Sequence, residues 1–189
     1  RIMTMDLHAA QIQGFFDIPV DHLDASVIFV PHIKSLNLPN ITIASPDMGG
    51  SYRARTIAKY LNAEVVICDK QRKRANEIES MSIIGDVEGQ DIVLIDDICD
   101  TAGTLSKAAS LIMENGATSV RAVCTHPVLS GKAYDTIENS ALTELIVTDT
   151  IPLRQQSEKI KVLSTADLFA NAIKNVNEHG SISNLFKVD

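Results

Sequence analysis

No apolar run in this sequence approaches the roughly 20 residues that a membrane-spanning helix needs, and no charged segment leads into an apolar one as in an export signal. Those absences point to a soluble, cytoplasmic protein without a membrane partner. An excess of positive charge is missing too: 17 Lys and Arg stand against 24 Asp and Glu, a formal net charge of -7. A general binder of nucleic acid or of an anionic membrane surface needs a cationic face, so neither is an expected partner. Cysteine is scarce and unpaired in pattern. Cys68, Cys99 and Cys124 each lie in or beside an apolar run with no CxxC spacing, which reads as three buried thiols in a reducing compartment. Repeats and low-complexity segments are lacking. Position 1 is not methionine, and residues 1 to 8 open inside an apolar, strand-like run, so a cut N-terminus is expected.

With 45% apolar side chains over 189 residues, the chain can bury one sizeable core, or one domain plus a piece of another. Short apolar runs at 41–44, 63–68, 81–84, 91–95, 120–125 and 142–148 read as strands. Helical patterns at 51–61, 105–114, around 132–138 and at 165–178 fall between or after them, and Asn115-Gly116 marks a helix end. Strands alternating with helices predict an α/β fold with a mainly parallel sheet and helices on both faces. Residues 69–79 lose apolar periodicity and gain charge, which predicts a mobile loop.

The most informative stretch is Val93-Leu-Ile-Asp-Asp-Ile-Cys-Asp-Thr-Ala-Gly-Thr104. An apolar strand delivers paired carboxylates, then a loop of small residues opens a helix. Gly103 and its small neighbours let backbone N–H groups close around a phosphate, Thr101 and Thr104 add hydroxyls, and the helix contributes its positive N-terminal dipole. Asp96 and Asp97 suit the diol of a ribose, and Asp100 to Thr104 its 5-phosphate. Two adjacent aspartates alone would more simply be solvated strand-end residues, and Asp100 alone a helix cap. The order of strand, diol acceptors and phosphate nest sets those plainer readings aside.

This run resembles the PRPP-binding signature of type I phosphoribosyltransferases and of ribose-phosphate diphosphokinases (PRPP synthetases). The resemblance implies that Asp96, Asp97, Asp100, Thr101, Ala102, Gly103 and Thr104 hold ribose 5-phosphate. Asp6-Leu-His8 and the following residues to Asp21 are similar to the synthetase segment that meets metal and nucleotide phosphates, which ordinary phosphoribosyltransferases lack. An Asp and a His two apart at a strand end would share a face and address one Mg²⁺ or its waters, although Mg²⁺ prefers oxygen. Asp17 and Asp21 could extend that acidic site. Asp47, in Ser45-Pro-Asp-Met-Gly-Gly50, resembles the family's second metal and ribose contact. The metal set implied is therefore His8, Asp47, Asp6, Asp17 and Asp21, with Mg²⁺ as cofactor.

Lys70-Gln-Arg-Lys-Arg74 places four cations within five residues, a pattern that on charge alone would be a solvated surface. It resembles the synthetase loop that folds over the active site, which implies catalytic Lys70 and Arg72, with Arg72 also clamping the sugar phosphate. The likeness runs on through Cys124 to Gly131, where His126 reads as a packing or hydrogen-bonding histidine, and into the tail. There it implies a regulatory role for Ser181 and Ser183.

The implied activity is transfer of the diphosphoryl group of ATP to ribose 5-phosphate, giving PRPP and AMP, in a homo-oligomer that is hexameric by family resemblance. Residues 1–23 and 166–189 would be a remnant of an N-terminal phosphoribosyltransferase-like domain, and 24–165 the C-terminal one. Three rivals stand beside this reading. A phosphoribosyltransferase using PRPP would lack the Asp6 to Phe16 segment and the Lys70 run. A non-catalytic associated regulatory subunit would not need an intact loop at 100–104. A repressor on the same fold would need a basic DNA-reading helix, which is missing.

Overall fold

The computed structural model describes residues 1–74 and 77–186, and of residues 70–74 and 77–80 the backbone alone. Strand β1 (Ile2–Met5) pairs in parallel with β2 (Val20–Leu23) as a separate two-stranded sheet. The chain continues through α1 (Ser26–Ser35), β3 (Ile41–Ser45), α2 (Ser51–Leu61), β4 (Glu64–Arg74), β5 (Glu77–Ile84), β6 (Asp91–Cys99), α3 (Gly103–Glu114) and β7 (Ser119–Pro127). It ends with α4 (Ala133–Glu138), β8 (Glu144–Thr148), β9 (Ile160–Leu163) and α5 (Ala166–Asn177). The main sheet runs β5-β4-β3-β6-β7-β8-β9, parallel throughout except for β5 at one edge.

Strand periodicity explains the two cores. Along β6, Ile92 and Leu94 pack with α3 and α4 residues such as Leu105, Ile112 and Ile137. Val93 and Ile95, pointing the other way, pack with Phe29 and Ile33 of α1, Ile57 of α2 and Ala172 of α5. Each fully buried aliphatic side chain contributes about 1.5–3 kcal/mol, so the sheet is held from both faces, as the α/β pattern predicts. Met5 and Leu23 join the second core, which seats the small sheet beside α1 and α2.

Helix α2 ends as its sequence dictates. Asn62 takes a left-handed φ of 50°, and the Ala63 N–H turns back to the Ala58 carbonyl at 3.0 Å. Four stretches differ from the sequence expectation, the first being β2, which no apolar run announces. Helix α1 carries Pro31 inside it and its apolar residues run consecutively, so it has no helical period to read. Strand β9 is a four-residue edge with two exposed positions, too short and too polar for a burial pattern. The stretch expected as a loop, 69–79, has strand backbone at 69–74 and from residue 77. An antiparallel pair joined by a short connection satisfies its backbone bonds internally and needs no apolar face. Lys70 and Arg72 therefore sit on β4, and their side chains lie outside the described residues.

The carboxyl ends of β8 and β9 anchor the last helix. Asp149 accepts from the Thr165 backbone N–H at 2.8 Å, the Thr165 hydroxyl at 2.7 Å and the Ser164 hydroxyl at 2.7 Å. Partial burial pushes its carboxyl up, but these three donors outweigh it and hold it below the usual range. A depressed carboxylate stabilises the fold above its unfolded pKa and loses that contribution as pH falls through the folded value. Asp149→Ala should therefore lower stability by about 1 kcal/mol at neutral pH, the usual net worth of a hydrogen bond. Urea unfolding should show the gap to the parent closing as the solution is acidified.

Candidate active site

Strands β3 and β4 lie on one side of β6, while β7, β8 and β9 follow on the other, so the chain reverses its direction of progress between β3 and β6. Open parallel sheets form a crevice at such a reversal, beyond the carboxyl ends of the strands. Pairing of β3 with β6 stops at Ala44↔Leu94, and β6 runs on past its neighbour to Cys99. Asp96 and Asp97 stand on that projecting end. A cavity of about 540 Å³ opens there, lined among others by Asp6, His8, Asp47, Arg53, Asp96 and Asp97.

The β3–α2 loop is folded by its own polar groups. The Ser45 hydroxyl donates to the Asp47 carbonyl at 2.6 Å, and the Gly50 N–H donates to Asp47 Oδ1 at 2.9 Å. A Cβ on Gly50 would stand 2.7 Å from Ser45 Oγ, so this close turn requires glycine. Asp47 is thereby fixed at the cavity wall.

Asp97 Oδ2 meets two partners, His8 Nδ1 at 3.0 Å and Arg53 Nη2 at 3.2 Å. Burial pushes the Asp97 carboxyl up, but the Arg53 guanidinium and the His8 hydrogen bond outweigh it, so it is held below the usual carboxylate range. Asp96 has no such cations. Burial pushes it up to about 7, and the neighbouring Asp97 charge adds to the shift despite the Asp97 N–H that Asp96 accepts at 2.9 Å. The adjacent carboxyls thus differ, Asp97 being held toward its ionised form and Asp96 pushed toward its protonated one.

Asp6 and His8 both line the cavity, but not as neighbours on a strand face. Strand β1 stops at Met5, and Asp6 takes a left-handed φ of 41°. Its carboxylate accepts from the Thr125 hydroxyl at 2.5 Å and from the Ala25 N–H at 3.3 Å. Burial nevertheless raises its pKa. His126 sits as the packing and hydrogen-bonding residue expected of it. Its Nε2 faces the Met5 and Asp6 carbonyls at 3.1 and 3.2 Å, and its Nδ1 faces the Thr150 hydroxyl at 3.0 Å.

Other sequence-predicted residues lie apart from the cavity wall. Asp21 pairs with Arg1 at 3.0 Å, and Asp17 is exposed on the surface. Ser181 and Ser183 bond to each other at 3.1 Å near the tail. The loop 100–104 follows β6 directly. Asp100 and Thr101 are exposed, Ala102 is left-handed at φ 61°, and α3 begins at Gly103, so its N-terminus opens onto the loop.

Arg53 is the functional side chain that sequence reasoning missed. A signal was present: a cation in the first turn of α2 opposes the helix dipole and calls for a nearby carboxylate. One of its two terminal nitrogens, Nη1, is buried with no protein partner. Among the described residues no group of three or more His, Cys, Asp and Glu is arranged as a metal cage. Mg²⁺ does not need one, because it keeps most of its waters and binds through one or two carboxylates plus substrate phosphates. Asp47, on the cavity wall, offers a carboxylate for that mode, and His8, in the same lining, a ring nitrogen. All three cysteines are free and buried, with burial pushing Cys68 up to about 11 and Cys99 to about 12, which leaves them inert as nucleophiles. Among the described residues no helix is long and apolar enough to cross a membrane.

A family model for the phosphoribosyl synthetase-associated domain matches residues 42–187. Ribose-phosphate pyrophosphokinase of Wolinella succinogenes is 56% identical over 98% of this chain and 60% of its own length. The corresponding protein of Campylobacter jejuni is 55% identical over the same shares. The crystal structure of phosphoribosylpyrophosphate synthetase from Mycobacterium smegmatis matches with a TM-score of 0.86 at 36% identity, covering 94% of this chain and 59% of that one. The chain spans about 60% of the length of the curated relatives it matches.

The Asp96 shift has a measurable consequence. Above a pH near 3.8 the unfolded chain has lost the proton that native Asp96 keeps until about 7. The native state therefore binds more protons, and stability falls as pH rises through that window before levelling off. Asp96→Asn should remove this part of the fall. Urea unfolding at about pH 5 and about pH 8 should show a smaller difference for the variant than for the parent. Equal differences would assign the slope to other groups, Asp6 among them.

Proposed function

Given that this chain belongs to the ribose-phosphate pyrophosphokinase family, we propose that it forms PRPP and AMP from ribose 5-phosphate and ATP. The observation that carries this reading is the run from Val93 to Thr104. It brings paired carboxylates to the crevice where the sheet reverses, and the small-residue loop follows them directly at the head of α3. In the reaction the anomeric hydroxyl oxygen of the sugar bonds to the β-phosphorus of ATP. The bond from that phosphorus to the α,β-bridging oxygen breaks, AMP departs, and the hydroxyl proton is released.

The chain's own residues would divide the work as follows. Asp97, kept ionised beside Arg53, accepts from a ribose hydroxyl, and Asp96 from its neighbour. Residues 100–104 receive the 5-phosphate against the N-terminus of α3. Asp47 and His8 would hold Mg²⁺, whose bound charge would offset the negative charge gathering on the transferred phosphoryl oxygens. Lys70 and Arg72, by family resemblance, stabilise the same charge from β4, with Arg72 also clamping the sugar phosphate.

The domain division belongs to the same proposal. Residues 24–165 form one phosphoribosyltransferase-like domain, and 1–23 with 166–189 belong to another. The separateness of the β1–β2 sheet supports that division. A homo-oligomer in the cytoplasm completes the reading. The retained 96–104 run favours an enzyme over a non-catalytic regulatory subunit, and the Asp6 to His8 segment at the cavity favours a synthetase over a transferase.

Incubation with ATP, Mg²⁺ and ribose 5-phosphate should yield AMP and PRPP in equal amounts. The assay is run on this chain and on the chain joined to the remainder of its relatives' length, and no product from either would overturn the reading. In the active form, Lys70→Ala should lower kcat by about 100-fold or more while leaving the thermal midpoint unchanged. Turnover near that of the parent would remove Lys70 from the mechanism.

A further inference from the structure

After β7 the chain turns through Val128, Leu129 and Ser130 alongside the loop that follows β6. Paired residues of β6 and β7 end at Cys99↔Pro127. Main-chain bonds continue past that point, from the Leu129 N–H to the Cys99 carbonyl at 3.0 Å and from the Ser130 N–H to the Asp100 carbonyl at 2.9 Å. The Ser130 hydroxyl then donates to the Asp100 carboxylate, Oδ1. Backbone and side chain of the loop's first residue are thus both fastened to this turn.

The fastening holds two strained residues. Leu129, 3% exposed, has a φ of 47°, and Ala102 has a φ of 61°. Each costs on the order of 1 kcal/mol in a conformation that side chains disfavour, and persists only where its surroundings over-determine it. For Leu129 that support is its burial and its bond to Cys99. For Ala102 it is the Ser106 N–H that its carbonyl accepts at 2.9 Å, at the start of α3.

Asp100 poses an electrostatic problem at the head of this loop. Its carboxylate is exposed, beside the place assigned to a phosphate dianion. Like charges 4 Å apart repel by about 1 kcal/mol in water and by more where the dielectric is lower. Unfastened, the side chain would sample rotamers that point toward the phosphate. A hydroxyl donating to it confines it to the β7 side and delocalises part of its charge.

We propose that Ser130 is a positioning residue for the sugar-phosphate subsite, holding the Asp100 carboxylate against the β7 turn so that the 100–104 loop stays open to a phosphate monoester. The proposal rests on the reading of that loop as a ribose 5-phosphate site. Ser130 does not touch the ligand; it acts through Asp100. Because the two main-chain bonds do not involve its hydroxyl, Ser130→Ala leaves the turn in place and removes the side-chain bond alone.

The test is calorimetric titration of the chain with ribose 5-phosphate, alongside its thermal midpoint. Ser130→Ala should weaken binding about tenfold with the midpoint unchanged, and Ser130→Thr, which keeps the hydroxyl, should bind like the parent. Parent-like binding by S130A would overturn the proposal, as would a loss of binding that Ser130→Thr does not rescue. If the parent itself fails to bind ribose 5-phosphate, the reading of the loop falls, and that result is separate from any difference between variants.

Discussion

The contact on which the site depends is the meeting of His8 and Arg53 at a single oxygen of Asp97. Three chain segments converge there: the end of β6, the first turn of α2 and the residues after β1. A buried carboxylate with no cation beside it is pushed toward its protonated form, as Asp96 is. Supplied with a guanidinium and an imidazole, Asp97 stays ionised and can serve as a hydrogen-bond acceptor at neutral pH. The adjacent aspartates differ only because strand alternation turns one of them toward α2. Identical residues thereby acquire different chemistry from a 2-residue period.

A second junction keeps those segments together. The β1–β2 sheet shares no strand pairing with the main sheet, yet Thr125 and His126 at the carboxyl end of β7 hold it by side-chain bonds to Asp6 and to the Met5 and Asp6 carbonyls. Because the acceptors facing Nε2 are carbonyls, that nitrogen donates to them. Asp6, read from sequence as a metal ligand, has both carboxylate oxygens occupied in this fastening. Its closeness to the cavity is real, but its visible work is to hold the segment that carries His8.

Legibility in the sequence followed the range of the interactions. Helix α2 was readable to its bounds because a Gly-rich loop precedes it and Asn62 closes it, both local signals. The core strands were readable because burial on both faces leaves continuous apolar runs. Helix α1 was not, since consecutive apolar residues and Pro31 erase the helical period and only packing against Ile43 and Ile57 decides its state. The same division holds in the site. Residues 93–104 form a contiguous run whose chemistry can be read in order, whereas Arg53, Thr125 and Ser130 act across 44, 119 and 30 residues of sequence. Nothing in their own neighbourhoods names the partner.

The balance of charge around the cavity explains why two distant groups of residues belong to one proposed mechanism. Asp6, Asp24, Asp47, Asp96 and Asp97 line it, against Arg53 and two histidines. Such a wall repels nucleotide and sugar phosphates, and the charges of Asp97 and Asp47 add to the upward push that burial gives Asp96. Acids suited to the ribose diol would by themselves exclude the phosphates that must react above it. The conflict is resolved only if positive charge arrives with the substrates, through a divalent cation on Asp47 and His8 and through a chain segment as cationic as Lys70 to Arg74. In the proposed reaction phosphate binding is kept at a distance from the acids, on the loop where Ser130 is proposed to hold Asp100 aside. An acidic protein can on this account bind two phosphorylated substrates because each part of the site meets a different part of them.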